Sequence, residues 1–523
     1  MLLRLLTSAA AAVLGAQLVK IISRLVYRRL YSPFRYMPGP PNPSLIYGNF
    51  QRLSQAQYGP TFKFHTLLSA TQLYTIDTVA LHHIVNSGDI YQRSPVVRVN
   101  MTQLLGRGLL AVEDDEHTKL RKIMSPAFGI TQIRELTRLF VDKSLELCDV
   151  WARQTSDESG WTRIEVAGDL KRTTLDIIGL AGFDYEFNAL KGDKNNELDA
   201  AFKQLFLNRN ARKFTVAMLR ARFPLLRKIL PAPKRIVGAR RRMDGIGMQL
   251  LQDAKAAISS GEKDTDTGRR DLLSLLVKAN MSAEITESQR LNDAVVVAQL
   301  PTFFVAGHET TSTATAWALY ALSQHPGVQD KLRAELLTMG TESPSLDALN
   351  ALPYLEKFVR EVMRVHSPVV FTNRMAMKDD VIPLGTPYTD TRGVQHDSIA
   401  VTKGQSFWVP VAGVNRDPRI WGADATEFKP DRWDAVPDAA SAMPGIYANL
   451  FTFLGGPHNC IGWRFSLAEM KSLIYTLVRN FEFQLAVAPD EICTSKTAVQ
   501  RPMLVAEPEK GMQLPMLVRR VQA

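Results

Sequence analysis

The chain has 523 residues, of which 46% are hydrophobic and 22% charged, and it carries a formal net charge of +11 at pH 7. That balance excludes extensive disorder and allows several domains or one large unit with a sizeable core. Three cysteines, Cys148, Cys460 and Cys493, stand far apart and outside any C-x-x-C spacing, which excludes a disulfide framework and a cysteine zinc site and fits a reducing compartment. The nine histidines form no H-E-x-x-H set. No basic block interleaved with aromatics accompanies the positive charge, so nucleic acid is not an expected partner; a membrane surface or an acidic protein fits better.

Residues 5–19 are apolar apart from Thr7, Ser8 and Gln17. The run is shorter than the roughly 20 residues that span a bilayer. Ile21, Ile22, Leu25 and Val26 extend it, while Lys20 and Arg24 can snorkel. Lys20, Arg24, Arg28, Arg29 and Arg35 outweigh Arg4 on the other side, which orients the N-terminus to the lumen and the rest to the cytoplasm. Residues 1–30 are therefore expected to form a single-pass membrane anchor. An interfacial helix with Lys20, Arg24 and Arg28 on one face is an alternative, and so is a cleaved signal peptide. Residues 31–43 are basic and proline-rich and cannot be helical; they read as a stiff hinge.

From residue 44 to 523 there is no repeat and no second linker, so a single large domain is expected. Periodicity predicts long helices over 131–151, 291–324, 352–365 and 461–480. Shorter extended pieces are predicted at 73–76, 405–411 and 481–487, and residues 259–270 read as a polar surface loop. The balance is mainly α with minor β.

Within the second of these helices stands Ala306-Gly307-His308-Glu309-Thr310-Thr311. Glycine and clustered threonines suit a helix interior poorly. The Thr310 hydroxyl can bond back to the Ala306 carbonyl and loosen the ladder. The stretch reads either as a pocket for a diatomic ligand, with an acid and an alcohol ready to pass protons, or as a polar site of helix packing. Glu361 and Arg364 lie three apart on one helical face and can pair, although most such pairs are solvated. Residues 453–462 read F-L-G-G-P-H-N-C-I-G. Gly455, Gly456 and Gly462 let the backbone approach a flat object, and Pro457 stiffens the turn. Cys460 sits near the start of a helix, whose dipole favours a thiolate.

The last segment resembles the haem-thiolate loop of the cytochrome P-450 family, F-x-x-G-x-x-x-C-x-G. Residues 306–311 resemble its A-G-x-E-T-T motif, residues 361–364 its E-x-x-R, and residues 428–433 its F-x-P-x-R-W. His117 and Arg121 fall on the family's W-x-x-x-R, with histidine in place of tryptophan. These matches run in family order along the whole globular part. The resemblance implies a mainly α haem domain with minor sheets behind the membrane anchor, holding haem b (iron protoporphyrin IX) with Cys460 as the axial ligand of the iron.

By the same resemblance, Phe453, Gly456, Gly462, Ala306 and Gly307 lie against the cofactor. Arg121, Arg374 and His458 serve the propionates, His458 standing where the family usually has arginine. Glu309 and Thr310 guide protons, and Glu361, Arg364 and Arg432 form a buried structural network. Phe303, Phe304, Val369, Val370 and Phe371 line an apolar substrate pocket, with residues 98–110 as a variable loop above it. The implied activity is insertion of one oxygen atom into an unactivated C–H bond of a lipophilic small molecule. No flavin or nicotinamide motif is present, so electrons from NADPH would come through a membrane-bound NADPH–cytochrome reductase, with Arg121, Lys122, Arg464 and Lys471 as candidate docking charges. The overall style looks most like fungal microsomal members of the endoplasmic reticulum membrane that act on terpenoids or other secondary metabolites. Fatty-acid or xenobiotic hydroxylation is the alternative; a haem-thiolate isomerase or dehydratase and a non-catalytic haem protein are alternatives of another class.

Overall fold

The computed structural model describes residues 32–44, 58–66, 70–155, 160–192, 233–260, 271–281, 290–495 and 497–521, together with positions 15, 16, 19, 49, 197, 198, 200, 201 and 220. The expected anchor over residues 1–30 lies almost wholly outside the described residues, as does most of the polar stretch 259–270. Among the described residues no helix is long and apolar enough to cross a membrane. The chain is mainly helical with minor sheets. It divides into two compact units, residues 1–92 with 373–409, and residues 93–372 with 410–523. No linker marks this division in the sequence, because the smaller unit is assembled from two distant stretches.

The smaller unit is built on a five-stranded sheet in the order Thr61–His65, Thr71–Thr75, Ser406–Val409, Thr372–Ala376, Tyr91–Gln92. Asp77 caps the helix Thr78–Asn86 by accepting from the Ala80 amide at 3.0 Å. The same carboxylate takes the Gly385 and Thr386 amides of the ribbon Asp380–Thr389/Gln395–Val401. The proline-rich hinge docks on the first strand: the Lys63 amide donates to the Pro38 carbonyl at 3.0 Å, and its ammonium reaches the Phe34 carbonyl at 2.9 Å. Phe34 and Met37 are buried there.

In the larger unit six helices carry the site: α1 (Asp114–Met124), α2 (Ile130–Gln154), α3 (Val166–Phe183), α4 (Gln299–Gln324), α5 (Pro353–Val365) and α6 (Trp463–Asn480). The pattern at 291–324 splits into Asp293–Val297 and α4. Pro301 explains the break: it lacks an amide, and its ring crowds the carbonyl four residues back, at Val297. Residues 98–110, expected as a loop, are helical as far as Leu105. Ser94 starts that helix by accepting from the Val97 amide at 3.3 Å, with Pro95 in its first turn. The extended piece at 481–487 is the strand Phe481–Leu485, paired with Pro515–Arg520, which in turn pairs with Thr162–Glu165.

Helix α4 packs along α3, and Gly307 sits at a tight contact between them. A Cβ there would lie 2.8 Å from both Cδ1 and Cγ1 of Ile178. This gives Gly307 a role in helix packing that needs no cofactor. Gly307→Ala is expected to lower the melting temperature, because overpacking costs about 1–3 kcal/mol against roughly 1 kcal/mol gained in helix propensity. Adding Ile178→Val, which removes Cδ1, should recover part of that loss in thermal unfolding followed by circular dichroism. A Gly307→Ala protein as stable as its parent would show that the contact is not tight.

Candidate active site

The cysteine loop is shaped by its own backbone before any ligand is considered. The Cys460 amide donates to the Phe453 carbonyl at 2.9 Å, closing the turn on which the sulfur is presented. Gly456 has φ +66°, a conformation glycine adopts without strain. A Cβ on Gly455 would land 1.8 Å from the Pro444 carbonyl oxygen, so that position admits no side chain. Gly462 is different: its φ is −92°, and a Cβ would meet only Phe128, at 3.6 Å.

Cys460 itself presents an open face while the surrounding chain encloses it deeply. Burial pushes its thiol up, and the Gly462 amide and the nearby Arg121 only partly oppose this. The helix start alone therefore does not make the thiolate.

Helix α4 is joined to the cysteine-bearing side by Thr311 Oγ1 and Ser466 Oγ, 3.2 Å apart, and by Phe128, whose ring stands beside Gly462 and against Phe303. Ala306 is open although the helix around it is mostly buried. The Thr310 hydroxyl donates to the Ala306 carbonyl at 2.6 Å, and α4 runs on through this bond without a break. The Glu309 carboxylate is bonded by Arg501, whose Nε lies 2.9 Å from Oε1 and whose Nη2 reaches the same oxygen. Burial works to raise the Glu309 pKa, but the Arg501 charge, helped by His308 and Lys171, holds it below the usual carboxylate range.

The basic residues do not stand free around the loop. Arg121 donates through Nη1 to the Asn459 carbonyl and through Nη2 to Asn459 Oδ1 at 2.5 Å. His458 Nε2 lies 3.0 Å from Glu113 Oε2, and Arg93 Nη1 lies 3.1 Å from Glu113 Oε1. Burial favours a neutral Glu113, yet His458 and Arg93 overcome it and hold the group at about 2. The His117 ring rests on that of His458 with centroids 4.1 Å apart; burial and these neighbouring cations push His117 down to about 4. Arg374 is buried in the smaller unit, where Nη1 donates to the Asn373 carbonyl at 3.0 Å.

Glu361, Arg364 and Arg432 come together. Arg364 clasps Glu361 through Nε at 2.9 Å and Nη2 at 2.8 Å, both side chains fully buried. Arg432 Nε stands 3.5 Å from Glu361 Oε1, and Arg432 Nη1 donates to Asp424 Oδ1 at 2.6 Å. The second guanidinium edge of Arg364 serves the carbonyls of Asn415 and Ala425. Asn415 in turn bonds the Phe451 amide at 2.8 Å and the Thr452 hydroxyl at 2.8 Å. The charge network thus reaches the segment that opens the cysteine loop.

The profile described as Cytochrome P450 matches residues 43–514. The chain belongs to the cytochrome P450 family. It is 49% identical to Cytochrome P450 monooxygenase 205 of Postia placenta over 98% of each chain. It is 47% identical to Cytochrome P450 monooxygenase 128 of the same fungus, over 98% of this chain and 97% of that one. With Cytochrome P450 monooxygenase claQ of Ampulloclitocybe clavipes it shares 33% identity over 97% of this chain and 96% of the other. This cytochrome P450 is a monooxygenase of that type.

The family implies a haem, and the residues present fit one. The Cys460 sulfur is a soft donor on an exposed side chain. Among the described residues a Cβ on Gly462 would meet only Phe128, so this backbone is open to the close approach of a flat group. The two departures from the family's motifs, His117 and His458, prove to be neighbours in the P450 fold. Among the apolar residues expected at the substrate, Phe304 belongs to the core: it packs between Phe183 and Phe187 and stands two residues, about 200° around the helix, from Ala306. Phe303 packs on Phe128 and Phe183. Val369, Val370 and Phe371 are half-buried. Lys471, expected as a docking charge, is buried instead, bonded to Glu356 at 2.6 Å and Asn350 at 2.7 Å. Lys122 and Arg464 are exposed.

Sequence reasoning missed Glu113, Asn415, Asn459, Glu469 and Arg501. Glu469 on α6 is buried, with the Thr311 side chain of α4 against its carboxylate. Burial raises its pKa well above the usual value, so it stands as a neutral acid. Only the position of Glu469, one turn from the buried Phe465 and Leu473 on an amphipathic helix, could have signalled it.

Proposed function

We propose that this monooxygenase hydroxylates a lipophilic small molecule of fungal secondary metabolism, of terpenoid type, with electrons from NADPH delivered by a separate membrane-bound reductase. Residues 1–30 would anchor it in the endoplasmic reticulum membrane with the catalytic part in the cytoplasm. The observation that carries the reading is the acid–alcohol pair on α4: Glu309 is ionised and held by Arg501, and Thr310 is held by the Ala306 carbonyl, beside the opening at Ala306.

Haem, bound through Cys460, supplies the activation of dioxygen. The chain's own residues supply protons, orientation and dryness. The Thr310 hydroxyl, fixed at 2.6 Å from the Ala306 carbonyl, offers its lone pairs away from the helix. The Glu309 carboxylate takes a proton from solvent and passes it inward. Val369, Val370, Phe371 and Phe303 present apolar surface that excludes water and suits a hydrocarbon skeleton. Full-length fungal relatives named monooxygenases support the fungal context.

The test is reconstitution with an NADPH–cytochrome reductase and a panel of terpenoids and fatty acids under labelled dioxygen. The expected result is NADPH oxidation that depends on a terpenoid and yields a product carrying one labelled oxygen. Turnover of fatty acids alone would replace the substrate class. Product formed without NADPH would replace the proposal with an isomerase or dehydratase.

A further inference from the structure

Arg501 lies in the turn that joins the strands Ile492–Thr494 and Pro502–Leu504. Its amide donates to Ser495 Oγ at 3.0 Å, and its carbonyl accepts from the Ser495 amide at 2.9 Å, so its backbone is fixed. The residues just before it are tied to two other elements. The Trp317 indole donates to the Gln500 carbonyl at 2.6 Å, the Gln500 amide to Pro368 at 2.8 Å, and the Val370 amide to Ala498 at 3.1 Å. Val369 and Val499 form an antiparallel bridge. One short turn is therefore clamped to α4 and laced to the apolar residues 369–370, and its guanidinium is placed on Glu309.

The geometry points to Arg501 as a positioning residue that sets when Glu309 can accept a proton, through a turn shared with the apolar wall at Val369 and Val370. This rests on the proton-carrying reading of Glu309 given above. In the resting enzyme the guanidinium holds Glu309 as a carboxylate, fixed through Oε1; the acid becomes a proton carrier when that contact loosens. Cations facing Glu309 are Arg501 from the turn, Lys171 from α3 and His308 from its own helix. Arg501 hydrogen-bonds the carboxylate through Nε and Nη2, and the His308 ring is engaged with the Phe304 carbonyl.

The sign of the pH effect follows. A carboxylate whose folded pKa is depressed contributes stability above its unfolded pKa and loses it as pH falls through the folded one. Without Arg501, burial dominates and the Glu309 pKa rises. The stability deficit of Arg501→Gln should therefore be largest at pH 8 and shrink toward pH 5.

The experiment compares full-length holoenzyme carrying Arg501→Gln, Arg501→Lys, Glu309→Gln or the Arg501→Gln/Glu309→Gln pair, by melting temperature and by product formed per NADPH between pH 5 and 9. The expected result is a pH-dependent melting deficit in Arg501→Gln that the added Glu309→Gln largely removes, with Arg501→Lys closer to the parent. The pH midpoint of coupling should also move up by about 1 unit or more in Arg501→Gln, the size of shift an adjacent opposite charge imposes. A melting deficit that is independent of pH and unrelieved by Glu309→Gln would overturn the assignment and leave Arg501 as a turn-packing residue. If Glu309→Gln lowers coupling while Arg501→Gln leaves its pH midpoint unmoved, the clamp fails and the proton-carrying role of Glu309 stands. If Glu309→Gln leaves coupling intact, it is the proton-carrying role that fails.

Discussion

Arg364→Met is expected to destabilise the larger unit by about 3–5 kcal/mol, the usual consequence of breaking a buried ion pair from one side. The substitution leaves the Glu361 carboxylate with no exposure and with only the Lys429 amide at 2.8 Å, the Trp433 indole at 3.1 Å and the more distant Arg432 to meet it. It also strips donors from the carbonyls of Asn415, Ala425 and Glu427. Arg364→Lys should recover little, since an ammonium cannot reproduce the fork that spans Glu361 on one edge and backbone carbonyls on the other. Glu361→Leu together with Arg364→Met should cost less than the sum of the single changes, because no charge is then stranded. Urea unfolding of the four proteins checks this, and strictly additive losses would show that the residues do not act as a unit. The fall should also appear as reduced haem retention, because Asn415 links this network to Phe451 and Thr452 at the entrance to the cysteine loop.

What was legible in the sequence is what depends on short spacing. Glu361 and Arg364 are one turn apart, Thr310 reaches a carbonyl four residues back, and Cys460 sits in a turn of its own glycines; local geometry alone carries these. The partner of Glu309 was not legible, because Arg501 is 192 residues away and an arginine in a polar C-terminal stretch looks like any solvated cation. Glu113 was hidden in the same way: it sits in an acidic run, Glu113-Asp114-Asp115-Glu116, that reads as a helix start, and only the fold brings it to His458. The packing role of Gly307 was not legible either, since its demand for space comes from Ile178 on another helix. Phe303 and Phe304 are adjacent in sequence but take different directions around α4, a distinction that composition does not make. The smaller unit escaped because its strands come from both sides of a long insertion and no boundary composition separates them.

The largest chemical effect belongs to Cys460. Cys460→Ala keeps the backbone bond from residue 460 to the Phe453 carbonyl and removes only an exposed sulfur, so the folded chain should survive. What it would lose is the sulfur that we propose holds the haem and makes oxygen–oxygen cleavage possible. The direct measurement is the carbon monoxide difference spectrum of the reduced, haem-loaded proteins. The parent should show the band of a thiolate-ligated haem and Cys460→Ala should lack it. A thiolate-type band that persists in Cys460→Ala, or that is missing from a fully haem-loaded parent, would contradict the account.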